Sequence, residues 1–382
     1  MECGNIGNKK DMKNNGYDTY FGFLRFALGI DDGKKLTDGD ALSGFDWMSF
    51  YDFARKQTLV GVLFHGVRQL PKTVAPPFAL LVKWLGESES IRKRNLMLDA
   101  ASVRVYRNVT ALGYRCCILK GQGNARLYPV PAVRTAGNID VWVDATRDEI
   151  RLLAARLAAD GGKVGEETIN HIVLRFGNID VEMHSTPALV SNPWRNRRLQ
   201  RWAHDNAKAQ CANIVDLPGD AGSISAPTAT FNAVYQLLHL YHHFFFEGIG
   251  LRQIVDYYYV IVGLRPDTDF DAMRLTLHRL GIYKFAGAVM WVLQQVLGLD
   301  AQRMIVPVDE RRGRLLIDEI LSGGNFGQYD TRYGFGHGFW GHNIQRIVRD
   351  ARMARFYPGE ALCEPMFRVY NFVWRKLLAG RV

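Results

Sequence analysis

Three short runs of strand-forming residues in the middle of the chain constrain its fold more than any other feature. They are Cys116–Leu119, Ile139–Val143 and Ile179–Met183. Side chains alternate between the two faces of a strand, so residues two apart lie on the same face. Asp140 lies within the second run and Glu182 within the third. If these two strands are neighbours, we expect the two carboxylates to meet across the sheet.

A lysine-glycine turn follows the first run. Lys120, Gly121, Gln122 and Gly123 separate that run from a helical stretch, Ala125 to Tyr128. Glycine lets the backbone approach a phosphate group closely, and the N-terminus of a following helix offers free N–H groups. We therefore predict that Lys120, Gly121 and Gly123 contact nucleotide phosphates. An ordinary strand-to-helix turn is the alternative.

The two carboxylates predict a cation site. Carboxylates at close range repel each other unless a cation lies between them. Mg²⁺ prefers oxygen ligands, and it takes a couple from carboxylates and the rest from substrate phosphates and water. Asp140 and Glu182 are therefore predicted magnesium ligands. The alternative is that Asp140 is a turn residue and Glu182 is solvated.

The segments on either side of these strands are helical. Apolar residues recur at three- and four-residue spacing from Tyr17 to about Ala101, and again in most of the chain after Pro218. Gly177-Asn178 separates two strand runs as a two-residue hairpin turn. We predict an α+β protein with a small mixed sheet, flanked by N-terminal and C-terminal helical regions. The predicted divisions are a flexible N-terminus over 1–16, a helical region over 17–101, the sheet domain over 102–217 and a helical domain over 218–382.

Charge limits the classes of partner. The 382 residues carry a formal net charge of +10, which favours anionic partners such as a nucleoside triphosphate, a phosphorylated acceptor or nucleic acid. A solvated helix face is the alternative explanation for clustered arginines. Two arginine clusters stand out, Arg195, Arg197, Arg198 and Arg201 in one, and Arg346, Arg349, Arg352 and Arg355 in the other.

The expected location is the cytoplasm. The first residues lack a charged region followed by an apolar stretch, which a secretory signal requires. The most apolar run, Tyr257 to Leu264, is far shorter than the ~20 residues that cross a bilayer. The five cysteines show no CxxC spacing, so we predict reduced thiols. We predict no membrane partner.

Several further residues are predicted to contact substrate. Arg134, just before the second strand run, is placed to reach triphosphate oxygens, or else it is a surface residue. His184 shares a face with Glu182 and is predicted to approach the acceptor, or else it is a structural histidine. His239 and His243 are one helical turn apart, so they contact nucleotide or acceptor from a helix packed on the sheet, share a metal ion, or belong to the core.

Ile118–Gly123, Arg134–Val143 and Val181–His184 resemble an uncharacterised bacterial family of the polymerase-β-like nucleotidyltransferase superfamily. Part of the later helical region is also similar to that family, and the resemblance covers roughly Arg104 to Val262. It implies that 102–217 is a nucleotidyltransferase-fold catalytic domain.

The resemblance also implies roles for individual residues. In that superfamily a glycine turn binds nucleotide phosphates, and an Asp-x-Asp strand with a third carboxylate holds two Mg²⁺ ions. Matched to this chain, Gly121 and Gly123 form the glycine turn, Asp140 is the second Asp and Glu182 is the third carboxylate. Asn138 stands where the first Asp belongs, and its amide would ligate Mg²⁺ with one negative charge fewer.

The implied activity is Mg²⁺-dependent nucleotidyl transfer. A hydroxyl of a small molecule or protein attacks the α-phosphorus of a nucleoside triphosphate, ATP being the expected one, and pyrophosphate leaves. Asp140 and Glu182 would be the catalytic residues, with turnover impaired by Asn138. Two alternatives stay open: a degenerate relative that binds nucleotide without turnover, and a nucleic-acid-binding protein that uses the arginine clusters.

Overall fold

Helices form the N-terminal part of the computed structural model, which describes residues 17–37, 42–159, 161–330, 332 and 348–377. The predicted flexible N-terminus over 1–16 lies outside the described residues. The longest of these helices begins directly after Pro77, because a proline cannot donate the backbone hydrogen bond of a helix interior. It runs across the predicted division at 101/102. These helices are α1 (Tyr17–Ala27), α2 (Lys34–Thr37), α3 (Trp47–Lys56), α4 (Val60–Val67) and α5 (Phe78–Ala111).

A five-stranded mixed sheet follows, with the short helix α6 (Gly121–Ala125) after its first strand and α7 (Arg147–Ala159) after its second. The order across the sheet is β1-β2-β5-β4-β3, with β2 and β5 parallel and the other neighbours antiparallel. This sheet between helical regions confirms the predicted fold class. Its strands are β1 (Cys116–Leu119), β2 (Ile139–Val143), β3 (Lys163–Glu167), β4 (His171–Phe176) and β5 (Ile179–His184).

The strand predictions hold where the apolar pattern is strong. β1 and β2 have the predicted bounds, β5 ends one residue later at His184, and the hairpin turn between β4 and β5 is confirmed, with Gly177 at a φ of 59°. The sequence does not predict β3, because residues 163–167 are mostly exposed and lack an alternation of apolar and polar side chains.

The C-terminal part is mainly helical, as predicted. A two-stranded antiparallel ribbon, β6 (Ile214–Leu217) and β7 (Gly222–Ser225), crosses Pro218, where the sequence predicts the sheet domain to end. Across the described ranges, every helix is too short or too polar to cross a bilayer. The helices are α8 (Pro193–Ala212), α9 (Ala229–Phe246), α10 (Leu251–Val262), α11 (Phe270–Leu280), α12 (Tyr283–Leu297), α13 (Glu310–Gly323), α14 (348–354), α15 (Pro358–Ala361) and α16 (Glu364–Leu377).

Strands β1 and β2 of the central sheet are buried on both faces. Cys117 and Leu119 of β1 contribute to a core made by the N-terminal and C-terminal helices, whereas Cys116 and Ile118 contribute to a second core with α5 and α7. Cys116 and Cys117 are buried free thiols. Burial of both faces explains why β1 is apolar throughout rather than alternating.

The two helical regions pack on each other as well as on the sheet. Gln57, 1% exposed, joins them: its Nε2 donates to the carbonyl of Ile320 (3.0 Å), and its Oε1 accepts from the N–H of Leu251 (2.9 Å). The hydroxyl of Tyr259 donates to the carbonyl of Leu28 at 3.0 Å. This joint core holds α9 and α10 against one end of the sheet.

Candidate active site

The parallel pairing of β2 and β5 places Asp140 and Glu182 side by side. Their Cα atoms are register partners, as are those of Trp142 and His184. Because side chains alternate along each strand, Glu182 and His184 lie on the face that also carries Asp140. The structure thus brings Asp140 and Glu182 together, as expected from the sequence, and it places His184 beside them.

Asp140 is 3% exposed and has two basic neighbours. Its Oδ1 lies 3.0 Å from Nε2 of His184 and 3.2 Å from Nζ of Lys120. Burial alone would raise the pKa of the Asp140 carboxyl, but Lys120 and His184 outweigh burial and lower that pKa well below its usual value. Burial alone would lower the pKa of His184, but its hydrogen bonds to Asp140 and Glu182 raise it overall. Asp140 is therefore an ionised carboxylate between an ammonium and an imidazole.

A second histidine, His171, completes a cluster with Glu182 and His184. Nδ1 of His171 lies 3.6 Å from Oε2 of Glu182, and Nε2 of His184 lies 3.5 Å from the same oxygen. The three ligand-type atoms are all within 4.8 Å of one another. Burial lowers the pKa of His171, and the nearby His184 lowers it further. His171 is thus a neutral imidazole facing a carboxylate.

Lys120 reaches Asp140 from a strained turn. Its φ of 51° and ψ of −131° are rarely adopted by a residue with a Cβ, and Gly121 follows with a φ of 37°. The Lys120 ammonium also lies 3.4 Å from Nδ1 of His239, which accepts its hydrogen bond. The ammonium is thus engaged with Asp140 and His239 at the border of the cleft, and the phosphate contact predicted for Lys120 stays a prediction.

The two glycines of the turn have different surroundings. Gly121 borders the cleft, and a Cβ on it would be 3.7 Å from the backbone oxygen of Asn138. Gly123 faces the packed interior, where a Cβ would be 3.4 Å from that of Ala226. Gly123 is buried and does not border the cleft, and its predicted phosphate contact stays a prediction. Asn138 precedes the first residue of β2 and is half-buried at the cleft.

Arg134 is a buried residue rather than a surface one, with 2% exposure. Its Nε and Nη2 donate to the two carboxylate oxygens of Asp256 at 2.7 and 2.8 Å, and the hydroxyl of Tyr128 donates to Oδ1 at 2.7 Å. Burial alone would raise the pKa of Asp256, but Arg134 lowers it overall. Nη1 of Arg134 is buried without a hydrogen-bond partner among the described residues.

Arg252 of α10 lies beside this ion pair. Its Nη1 donates to the backbone carbonyl of Thr135 at 2.9 Å. Within the described part of the chain, Nε of Arg252 and the hydroxyl of Thr135 are buried without a partner. Burial lowers the pKa of Arg252, and the neighbouring Arg134 lowers it further. Arg134 and Arg252 together carry two positive charges against the single negative charge of Asp256.

His239 and His243 of α9 both border the cleft, where the sequence places them as substrate contacts. Their rings meet edge to face with centroids 4.2 Å apart. Burial lowers the pKa of His239 well below its usual value, and Lys120 adds to the effect. Nδ1 of His243 is 2.7 Å from Oε2 of Glu247. His239 is therefore neutral and oriented by Lys120, whereas His243 is oriented by Glu247.

These groups line one cleft of about 580 Å³ between the end of the sheet and helices α9 and α10. Asp140, Glu182 and His184 form one wall, and Arg134 and Arg252 border the same space. Small-molecule sites typically have volumes of about 300–1,000 Å³. The cleft therefore has room for a nucleotide, with acidic and histidine groups on one side and guanidinium groups on another.

Two of the four arginines of the second cluster make contacts within the protein, and Arg355 is exposed. Arg349 donates to a backbone carbonyl of α9, and Arg352 forms a 2.7 Å ion pair with a glutamate of α13. Arg346 lies outside the described residues. In the first cluster, Arg197 and Arg201 of α8 are exposed.

The model of a family described as uncharacterised nucleotidyltransferases matches residues 43–298. The match includes the whole sheet, α9 and α10, and therefore all the cleft residues named above. This chain belongs to that nucleotidyltransferase family. Among solved structures, this family member is similar to an antigenic nucleotidyltransferase-like protein from Paracoccidioides brasiliensis, with 13% identity and a TM-score of 0.36. That alignment covers 59% of this chain and 98% of the other. No curated protein matches the sequence.

The site of this nucleotidyltransferase-family chain includes residues that the sequence analysis does not single out. Arg252 is close to Arg134 only through the packing of α10 on the loop before β2. The sequence could have predicted the position of His171, because residues equally distant from a two-residue hairpin turn are cross-strand partners. Counting outward from Gly177-Asn178 pairs His171 with His184, as the register shows.

Proposed function

We propose that this protein transfers a nucleoside monophosphate from a nucleoside triphosphate to a hydroxyl acceptor in the cleft beside β2 and β5. One observation carries the proposal: a paired carboxylate site and guanidinium groups with unpaired N–H donors border the same cleft. Membership of the nucleotidyltransferase family supports the reaction class.

Arg134, Thr135 and Arg252 are proposed to hold the triphosphate. Each has a buried donor without a partner among the described residues, and such groups cost free energy until an acceptor reaches them. The surplus positive charge of Arg134 and Arg252 over Asp256 is also best compensated by an anion. Phosphate oxygens satisfy both requirements, because guanidinium groups make charge-assisted hydrogen bonds to them. The proposal therefore retains the phosphate contact predicted for Arg134, and its Nη1 would make that contact.

The residues fit one divalent cation, not the two Mg²⁺ ions of the superfamily. The three ligand positions hold Asn138, Asp140 and Glu182, so only two carboxylates are present. Oδ1 of Asp140 already accepts hydrogen bonds from Lys120 and His184. A single cation would be held mainly by Glu182, on the Asp140 side of the cleft. When bound, it would neutralise phosphate charge and lower the pKa of the acceptor hydroxyl.

The proposed reaction is a displacement at the α-phosphorus. The acceptor oxygen forms a bond to that phosphorus as the bridging oxygen to the β-phosphorus leaves with pyrophosphate. Glu182, whose side chain is 27% exposed, is proposed to accept the hydroxyl proton. Arg134 and Arg252 orient the triphosphate and stabilise charge on the departing pyrophosphate. Lys120 keeps Asp140 ionised beside the reacting groups.

Nucleotide binding tests the phosphate assignment. We expect Arg252→Met to weaken ATP binding by about 10- to 100-fold, since a hydrogen bond to a charged group is worth about 1.5–3 kcal/mol. The matched control is Arg197→Met, an exposed arginine of α8, which should bind ATP as the unaltered protein does. Equal ATP affinity in both variants would contradict the assignment. Steeply salt-dependent oligonucleotide binding without ATP binding would favour the nucleic-acid alternative.

Pyrophosphate release tests the reaction. The unaltered protein and Asn138→Asp are compared over a panel of hydroxyl acceptors with ATP and a divalent cation. Release by both supports the proposed function, and faster release by the variant shows the cost of the missing carboxylate. Release by the variant alone indicates an impaired enzyme. Nucleotide binding with no release by either would favour a binding protein.

A further inference from the structure

The geometry points to a metal site at His171, Glu182 and His184 that takes a Mn²⁺, Co²⁺ or Zn²⁺ ion in preference to Mg²⁺. The inference rests on the proposed function only for what the ion does there. It differs from the magnesium expectation of the sequence because two of the three ligand atoms are imidazole nitrogens.

The donor set favours a transition metal. Mg²⁺ takes oxygen ligands almost exclusively, whereas imidazole nitrogen suits Zn²⁺, Co²⁺ and related ions, and a carboxylate is accepted by all of them. The set of His171, Glu182 and His184 offers two nitrogens and one carboxylate oxygen. A site with two histidines and one glutamate leaves further positions open for water or substrate.

Two of the three distances between ligand atoms suit such an ion. Metal–ligand bonds of about 2.0–2.1 Å in a tetrahedral site separate neighbouring ligand atoms by about 3.3 Å. Oε2 of Glu182 lies 3.5 Å from Nε2 of His184 and 3.6 Å from Nδ1 of His171. Both separations reach the tetrahedral value through a movement of about 0.3 Å, well within side-chain freedom.

An unpaired buried atom supports the site independently. Nδ1 of His171 is buried and has no hydrogen-bond partner in the described part of the chain. Its nearest carboxylate is Glu182, at a distance too long for a hydrogen bond. A metal ion would occupy the space between these two atoms and give the nitrogen a partner. Oε1 of Glu182 then remains the oxygen that accepts the acceptor proton.

The surroundings orient the ring of His184 and position the backbone of His171. Nδ2 of Asn170 donates to Nδ1 of His184 at 3.2 Å, and Oδ1 of Asn170 accepts from the hydroxyl of Thr186 at 3.0 Å. The ring proton of His184 is then on Nε2, and a metal ion that binds this nitrogen displaces it. The backbone N–H of His171 donates to the hydroxyl of Thr168 at 3.1 Å and so positions the start of β4. Contacts of this kind fix the rings of metal-binding histidines, and their loss typically costs about 10- to 100-fold in metal affinity.

The local charge also suits a dication. Asp140 and Glu182 contribute two negative charges, and Lys120 contributes one positive charge. A bound dication offsets the two carboxylates, which suits a triphosphate arriving from the side of Arg134 and Arg252.

Metal titration of the full chain without nucleotide tests the inference. Chelator-treated protein is titrated with Co²⁺, followed by visible absorption and calorimetry, and separately with Mg²⁺. We expect one equivalent of Co²⁺ to bind at least 100-fold more tightly than Mg²⁺. His171→Ala and Glu182→Gln should each weaken Co²⁺ binding at least 10-fold, while the control His204→Ala, an exposed histidine of α8, leaves it unchanged. Mg²⁺ binding as tightly as Co²⁺, or Co²⁺ binding unaffected by His171→Ala, would overturn the inference.

A measurement on the unaltered protein avoids dependence on variant folding. In pulsed electron paramagnetic resonance of the Mn²⁺-loaded protein, coordinated imidazole nitrogen modulates the spin echo. Modulation supports the site, and its absence with bound Mn²⁺ overturns it. Different results would contradict the proposed function and the proposed metal site. Histidine-dependent metal binding without nucleotidyl transfer would contradict only the proposed function, and transfer with Mg²⁺ without histidine-dependent binding would contradict only the metal site.

Discussion

The buried ion pair between Arg134 and Asp256 allows a quantitative prediction. Both residues are nearly inaccessible, and the carboxylate of Asp256 accepts three hydrogen bonds, two from Arg134 and one from Tyr128. Asp256→Asn preserves the shape but removes the negative charge and one acceptor oxygen. The variant therefore buries Arg134 and Arg252 with no compensating charge from Asp256. Removing one partner of a buried pair typically costs about 3–5 kcal/mol, so we expect this loss in the free energy of unfolding.

The assay is urea denaturation followed by circular dichroism. The matched control is Asp267→Asn, because Asp267 also makes a two-point contact with an arginine, Arg265, but both side chains are more than half exposed. Surface pairs are worth about 0–1 kcal/mol, so this variant should unfold close to the unaltered protein. A folded Asp256→Asn within about 1 kcal/mol of the unaltered protein would refute the reasoning. We also expect Asp256→Asn to weaken ATP binding, since Arg134 loses its orientation.

The pH dependence of this pair gives a second check. The folded-state pKa of Asp256 is lowered from the usual 3.8, with burial opposing and Arg134 causing the net change. A group with a depressed folded pKa stabilises the protein fully above its unfolded pKa. That contribution is lost as the pH falls below 3.8 and through the folded-state pKa. The stability difference between the unaltered protein and Asp256→Asn should therefore be constant near neutral pH and shrink in acid.

Three further substitutions test other parts of the structure. Lys120→Met removes the ammonium next to buried Asp140, and we expect a loss of about 3 kcal/mol, measured by urea unfolding. Because Lys120 helps to lower the pKa of Asp140, the stability difference between this variant and the unaltered protein should shrink as the pH falls below 3.8; a difference that stays constant in acid would contradict that role. Gly61→Ala places a Cβ 2.4 Å from a backbone oxygen and should destabilise by about 1–3 kcal/mol, in a thermal melt or urea titration. Its control, Gly86→Ala in α5, meets no atom within 4 Å and should stabilise by about 0.5–1 kcal/mol; the opposite order would refute the packing argument.

Local regularities in the sequence determined four of the five strands of the sheet, all except β3. The apolar run of β1 and the mostly apolar run of β2 fit burial on both faces, whereas β5 alternates apolar and polar residues. The two-residue turn at Gly177-Asn178 specifies the β4–β5 hairpin, and the alternation of side chains places Glu182 and His184 on one face. These features depend on neighbours in the chain, so the chain order is sufficient to infer them.

The tertiary structure decided which charged groups meet. Asp256 of α10 pairs with Arg134 of the loop before β2, although they are distant in sequence, because the two helical regions share one core and press α10 onto that loop. Gly123 also faces the packed interior, where its neighbour is Ala226. A strained backbone directs Lys120 toward Asp140 rather than toward open space. Hydrophobic periodicity carries no information about such pairings, since burial rewards any close packing and the partner of a charge depends on which segments the core brings together.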